Sequence, residues 1–446
     1  MKLKREMALI IALILFAGCF AACKKEGDDK NESETVSETV SDTQGDETEG
    51  ETETETETDT ETETETDTET DTETDTETDT EADTEADTEA DTEDDEEKLV
   101  PQIFKITSRT EGIKVLGVRN LASDSGLHMD WSCSGVEFGI DLKGGAVRLN
   151  FKTSAGCLFR IWVDGEEYKQ NGSKYFTPMG GLVSLTDIPA GKHTVRVMKV
   201  TGYTLARAEL TGIVFAGSML TDGVDTADKD TYIEFVGDSI TCGWGTIGEH
   251  KGAYTDQDGT YAFSYLLAKE LDADYSMTAL SGQGLLCGNP GVTNGYLYAD
   301  PLGNGGVTYD FARKADIVVI NIGTNDYSKN VGEAQFKEAY LNFLKTVREK
   351  NGDDCKILCL YNSMNDTYAN AILAAVQEFG GTKAGVSTYK LNRVTGHPNI
   401  QEHEAYCEVL KDVILNLPEK FIPSVTVIPE GDGESDQLNW EDINNN

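Results

Sequence analysis

The chain has 446 residues, 81 of them acidic and 37 basic, for a formal net charge of −44. So acidic a balance excludes nucleic acid as the natural partner, because binding a polyanion needs a basic surface. The charge is unevenly spread: residues 24–100 hold 36 acidic and 4 basic side chains and carry −32, residues 1–23 carry +2, and −14 remains for residues 101–446.

Residues 1–23 open on Lys2, Lys4 and Arg5, pass through a short apolar run at 7–17, and end in small residues around two cysteines. This is an export signal, with an apolar core too short to span a bilayer comfortably. Ala17-Gly18-Cys19 and Ala21-Ala22-Cys23 both resemble a bacterial lipobox, in which the cysteine becomes the lipidated first residue. Cys23 is the expected anchor, Cys19 the alternative, and a plain secretory signal the third reading; membrane association is expected through the lipid alone. Residues 24–100 alternate Glu or Asp with Thr and hold almost no apolar side chain, so they cannot bury a core. Self-repulsion extends such a stretch into a solvated spacer, and its Thr content also suits O-glycosylation.

Residues 101–216 carry short alternating runs at 136–142, 147–152, 158–163, 182–185, 193–200 and 209–215, with turn residues such as Lys143-Gly144-Gly145 and Asp164-Gly165 between them. That spacing predicts a β-sandwich, with Trp131 and Trp162 as core residues. A polar connector at 217–229 leads to a second domain over 230–420. There, helical spacing at 261–271, 333–350, 370–379 and 401–417 alternates with buried-strand runs at 233–236, 317–322, 356–361 and 386–391. Alternation of this kind predicts a parallel sheet covered by helices on both faces, with the site beyond the carboxyl ends of its strands. Residues 421–446 read as an acidic, Asn-rich tail.

Seven cysteines follow the signal (Cys133, Cys157, Cys242, Cys287, Cys355, Cys359 and Cys407), so at least one lacks an intramolecular partner. Cys355 and Cys359 share one predicted strand, where four residues span about 13 Å, beyond the roughly 4.4–6.8 Å that a disulfide allows. C-x-x-C spacing is absent and the histidines are scattered, so no metal site is expected.

The chemistry concentrates in a few polar blocks. Residues 232–245 read Y-I-E-F-V-G-D-S-I-T-C-G-W-G: a buried strand, a glycine that permits a sharp turn, and Ser239 at the strand tip, where following N–H groups can face a developing negative charge. An ordinary Gly-Asp-Ser turn is the plain alternative. Further on come Ser281-Gly282-Gln283-Gly284, then Gly323-Thr324-Asn325-Asp326 closing a second buried strand, and Gly396-His397-Pro398-Asn399 before the last helix.

In type and order these blocks resemble those of the SGNH, or GDSL-like, hydrolases. Together with Ser134-Gly135-Val136-Glu137-Phe138, Trp162-Val163-Asp164-Gly165 and residues 189–195 of the β region, they make residues 101–420 similar to carbohydrate esterase family 2. The resemblance implies a jelly-roll domain preceding a three-layer α/β SGNH domain. It implies an extracellular O-acetylesterase that removes acetyl groups from plant polysaccharide of the xylan or mannan type, with an acetylated polysaccharide or oligosaccharide as partner and no cofactor. Ser239 would be the nucleophile and His397 its base; a serine hydroxyl is weakly nucleophilic until a neighbour takes its proton. The N–H groups of Ser239 and Gly282 and the side-chain amide of Asn325 would bind the oxyanion, with Gly284 competing for the glycine role. Trp244 either stacks on a sugar face or packs. His128 and His193 lie in the β region, His250 in a loop, and His403 near a helix start, where it reads as packed or capping. The family's commonest histidine block is D-x-x-H, yet Val394 stands three residues before His397. Members of carbohydrate esterase family 2 can lack that acid, with a backbone carbonyl orienting the histidine, which implies a Ser-His dyad. The rival readings are a surface carbohydrate-binding protein with vestigial catalysis and an esterase for lipid or thioester substrates. The jelly roll reads as a packing wall for the cleft in preference to a binding module.

If the acidic stretch is only a spacer, a protein beginning near Leu99 will keep the kcat and KM of the full chain on soluble substrates; a several-fold fall in kcat would mean that the stretch touches the catalytic domain.

Overall fold

The computed structural model describes residues 99–418, apart from 118, 120–123, 154–155, 249–253, 289 and 301–306. The signal with Cys19 and Cys23, the acidic spacer, His250 and the C-terminal tail lie outside the described residues.

The first sheet is antiparallel and nine-stranded: β1 (Gln102–Lys105), β2 (Ile113–Leu116), β3 (Leu127–His128), β4 (Gly135–Thr153), β5 (Phe159–Val163), β6 (Glu166–Glu167), β7 (Leu182–Leu185), β8 (Gly191–Lys199) and β9 (Ala208–Leu220). Its spine runs β1-β9-β4-β8-β5-β6, with β2 and β7 also on β4 and β3 on β9. The sequence predicts a turn at Lys143-Gly144-Gly145 between two strands. Here the chain instead bends within one 19-residue strand. Gly144 and Gly145 take φ of 139° and 77°, which side chains with a Cβ avoid, and the ladder to β9 shifts register there. The bend folds the sheet over a single apolar core that includes Phe138, Leu149, Phe159, Val197 and Phe215.

After the connector, β10 (Tyr232–Gly237), β11 (Asp274–Ala279), β14 (Ile317–Asn321), β15 (Lys356–Tyr361) and β16 (Val386–Lys390) form a wholly parallel sheet in the order β11-β10-β14-β15-β16. A small hairpin of β12 (Tyr298–Asp300) and β13 (Val307–Thr308) lies off it. The helices are α1 (Phe263–Glu270), α2 (Val292–Gly295), α3 (Thr324–Ser328), α4 (Glu333–Asn351), α5 (Ala369–Phe379) and α6 (Ile400–Leu415). Helices α4 and α5 close one face of the sheet, with Phe336, Tyr340, Phe343 and Ile372 in a core under Val318 and Ile320. Helices α1 and α6 close the other, with Phe263, Leu267, Tyr406 and Leu410 against Phe235 and Val319.

The two sheets are joined by direct hydrogen bonds. Ser132 Oγ donates to Cys242 O at 2.9 Å, the Gly259 N–H to Val200 O at 2.9 Å, and Tyr275 Oη to Cys133 O at 2.7 Å. A Cβ on Gly259 would run into Ser132 Oγ and Cys133 Sγ, so the glycine is there for closeness. Trp131 is buried, in a cluster with Tyr203 and Leu280, and its indole N–H donates to Ala299 O at 3.2 Å. Trp162 departs from the core position expected of it. It is half-buried at this seam, where Arg160 lies over its ring at 4.9 Å while reaching Asp258 Oδ2 at 3.3 Å. None of the seven described cysteines forms a disulfide, and six are buried.

Glu234 sits in the middle of β10 at 2 % exposure, a charge in an otherwise apolar strand. Arg119, 1 % exposed and contributed by the segment after β2, pairs with it through Nε at 3.1 Å and Nη2, and covers the rings of Tyr296 and Tyr309 at 4.5 and 4.6 Å. Tyr296 Oη donates to the other carboxylate oxygen and Ser276 Oγ reaches the first at 3.3 Å. Removing one member of a buried pair leaves an uncompensated charge, at a cost of about 3–5 kcal/mol. Arg119→Met is therefore expected to lower stability by about that amount in denaturant titration, and Arg119→Met with Glu234→Gln to recover much of it. Equal midpoints for wild type and Arg119→Met would show that the pair does not join the sheets.

Candidate active site

The turn that carries Ser239 is set by close contact between strand tips. Gly237, the last residue of β10, pairs with Asn321 of β14, and a Cβ there would strike Thr241 Oγ1 and lie 2.8 Å from Asn321 O. The chain then coils through 238–245, with Cys242 N–H to Asp238 O at 3.1 Å and Trp244 N–H to Ser239 O at 2.9 Å. Gly243 and Gly245 take φ of 80° and 75°. Ser239 is 4 % exposed, and its Oγ lies 2.8 Å from His397 Nε2.

His397 arrives from the loop after β16. Gly396 takes φ of 75°, Pro398 is buried, and Asn399 caps α6 in a reciprocal box: its side chain accepts from the Glu402 N–H at 2.9 Å, and Glu402 accepts from the Asn399 N–H at 2.8 Å. The histidine is thus aimed from the two residues before a fixed helix start. Val394, at the position of the family's usual acid, packs its side chain beside the core of this face and donates its N–H to Ser363 O at 2.9 Å.

The two remaining blocks meet each other. Asn325 Nδ2 donates to Gln283 O at 2.8 Å and stands 3.5 Å from Asp238 Oδ2, next to Ser239 in sequence. Gly282 takes φ of 82°, and a Cβ there would touch nothing, so its backbone alone calls for glycine. The competing Gly284 has its N–H spent on Cys287 O at 2.9 Å, whereas the Gly282 N–H has no backbone carbonyl partner. Trp244 is half-buried one turn after Ser239. Cys23 lies outside the described residues.

Asp238, Gln283 and Asp326 take part in the site and escape sequence reasoning, although each adjoins a residue it singles out. Asp238 is 1 % exposed; burial, offset by the Ile240 N–H at 3.0 Å and reinforced by Asp326, pushes its carboxyl up to about 7. Asp326 is fully buried and accepts from the N–H groups of Leu285, Leu286 and Cys287. Among the described residues no group of three or more His, Cys, Asp or Glu is arranged to hold a metal ion.

The other described histidines are occupied elsewhere. His128 and His193 face Asp130 and Asp164 in the β domain. His403 caps, but not its own helix: its Nδ1 accepts from the Phe263 N–H, at the start of α1, at 3.2 Å. Burial, with His397 nearby, pushes its pKa down to about 3.

At the carboxyl edge of its parallel sheet the chain holds a serine hydroxyl against an imidazole, the pairing on which serine hydrolases rely. The family model described as GDSL-like Lipase/Acylhydrolase family matches residues 235–415, which span most of the α/β domain. It is 31 % identical to cellulase/esterase CelE of Acetivibrio thermocellus over 263 residues, 57 % of this chain but only 31 % of that longer protein. To the acetylxylan esterase / glucomannan deacetylase of Cellvibrio japonicus it is 26 % identical over 275 residues, 56 % of this chain and 74 % of that one. Among solved structures it resembles a family two carbohydrate esterase from Clostridium thermocellum in complex with cellohexaose, at 26 % identity and a TM-score of 0.60, covering 68 % of this chain and 98 % of that one.

His403 yields a pH prediction. Between pH 6.5 and about 3 the unfolded chain binds a proton on this residue that the native state refuses, so stability rises with pH across that window and is lost as pH falls through it. At about 1.4 kcal/mol per pH unit, the effect is on the order of 5 kcal/mol. His403→Gln is expected to flatten that part of the stability profile in denaturant titrations from pH 7 to 3; an unaltered slope would mean that the native ring protonates.

Proposed function

We propose that the chain is a carbohydrate O-acetylesterase that removes acetyl groups from plant polysaccharide of the xylan or mannan type. The observation that carries the reading is the 2.8 Å approach of His397 Nε2 to Ser239 Oγ. At that distance the imidazole takes the hydroxyl proton as Oγ attacks the ester carbonyl. The tetrahedral oxyanion is received by the N–H groups of Ser239 and Gly282 and by the Asn325 amide, each such donor contributing roughly 2.7–4 kcal/mol. His397 returns the proton to the departing sugar hydroxyl, leaving an acetyl group on Ser239. Water, deprotonated by the same imidazole, then releases acetate. No cofactor enters these steps. His403 is unsuited to the base's role, since it is buried and its Nδ1 is held by α1.

Support for carbohydrate over other esters comes from the relatives, of which one is an acetylxylan esterase / glucomannan deacetylase and another was solved with cellohexaose. The Trp244 ring, half-buried beside the nucleophile turn, offers flat apolar area for a sugar face. Residues 1–100 support display outside the cell on a lipid at Cys23, with Cys19 the alternative, and with the acidic stretch as spacer.

The test is acetate release from acetylated xylan and acetylated mannan beside longer-chain aryl esters. Wild type should favour the acetylated polysaccharides, and Ser239→Ala and His397→Ala should each lose at least about a thousandfold in kcat. Glu402→Gln and Glu404→Gln should keep most of the activity, since Glu402 is engaged in capping α6. Preference for long acyl chains would replace the carbohydrate reading with a lipase-like one. Polysaccharide binding without turnover in wild type would leave only a binding protein.

A further inference from the structure

The proposed oxyanion donors come from two segments that have little stiffness of their own: Gly282 lies in a loop, and Asn325 belongs to α3, a helix of five residues. One side chain fastens the two together. The Asp326 carboxyl, with no solvent exposure, receives three successive backbone N–H groups: Leu285 on Oδ2 at 2.6 Å, Leu286 on Oδ1 at 2.9 Å and Cys287 on Oδ1 at 3.3 Å. Consecutive N–H groups turned to one side form a concavity that suits a carboxylate. The preceding residue makes the second tie, from Asn325 Nδ2 to Gln283 O at 2.8 Å. Gly284 lies between the two ties, and a Cβ on it would stand 2.5 Å from Asp326 Oδ2, so the carboxyl and the loop backbone are in direct contact. The loop is also closed on itself, by Gln283 N–H to Leu280 O at 3.0 Å and Gly284 N–H to Cys287 O at 2.9 Å. A shift of its 285–287 limb therefore carries Gly282 with it.

We infer that Asp326 is the positioning residue of the oxyanion hole, holding the Gly282 N–H and the Asn325 amide in one fixed relation. It touches no substrate and acts through those two donors. The inference rests on the esterase reading above.

Asp326→Asn tests it. The substitution keeps the shape but leaves one acceptor oxygen where two are used, and turns an NH₂ group toward backbone donors. Turnover is measured on an aryl acetate and on the matching aryl thionoacetate. Sulfur is a larger and poorer hydrogen-bond acceptor than oxygen, so an intact hole favours the oxygen ester, while the Ser239–His397 pair serves both substrates alike. Asp326→Asn should lower kcat on the acetate by about a hundredfold or more, the scale of one lost oxyanion donor, with KM little changed, and should pull the oxygen-to-sulfur rate ratio toward unity. Gly284→Ala, whose backbone is outside the left-handed region, pushes the same contact apart from the loop side and should give the same pattern. It carries the test if Asp326→Asn does not fold by circular dichroism. A folded variant with wild-type kcat, or one with reduced kcat and an unchanged ratio, overturns the inference. Wild type inactive on every ester overturns the esterase reading with it, whereas an active wild type with unchanged ratios in the variants overturns this inference alone.

Discussion

The buried charge of Glu234 sets the terms for the rest of the molecule. A carboxylate in the middle of β10 is tolerable only because Arg119 comes from the β domain to meet it, already covered by the Tyr296 and Tyr309 rings. The same strand ends at Gly237 and delivers Ser239. The β domain is thus wired into the strand that presents Ser239, and Ser132 reaches the carbonyl of Cys242 inside the turn after it. A loosely tethered binding module would show none of these contacts, and the wall-like packing role is the one that the seam supports.

Around the serine, charge is managed by burial. A fully ionised Asp238 beside Asn325 would oppose negative charge growing on a substrate carbonyl. With its carboxyl pushed up to about 7, much of the population carries the group uncharged at neutral pH and more of it in mild acid. For His403 burial moves the pKa the other way, down, to the same end: the ring stays neutral, so no second cation forms near His397.

Periodicity made the α/β domain legible because its central strands are unbroken apolar runs and its long helices carry regular stripes. Thus 356–361 and α4 fall almost where the pattern puts them. Strand β11 was not readable. Its sequence D-Y-S-M-T-A buries Ser276 and Thr278, and Ser276 is accommodated by the Glu234 carboxylate, a partner 42 positions away in sequence. Helix α3 was missed because five residues hold too little periodicity to signal a helix. In the site, residue types and order pointed to Ser239, Asn325 and His397. Asp326 carried no such signal, because its partners are backbone N–H groups about 40 residues earlier, which no side-chain pattern records.

The unpaired cysteines bear on how the molecule can be made. Burial pushes the thiols of Cys242, Cys355 and Cys359 up to about 12, so they persist as unreactive thiols instead of the thiolates that initiate exchange. Among the described residues the fold draws nothing from sulfur cross-links. The described part of the chain can therefore reach its native state in a reducing compartment, with neither an oxidase nor a disulfide isomerase.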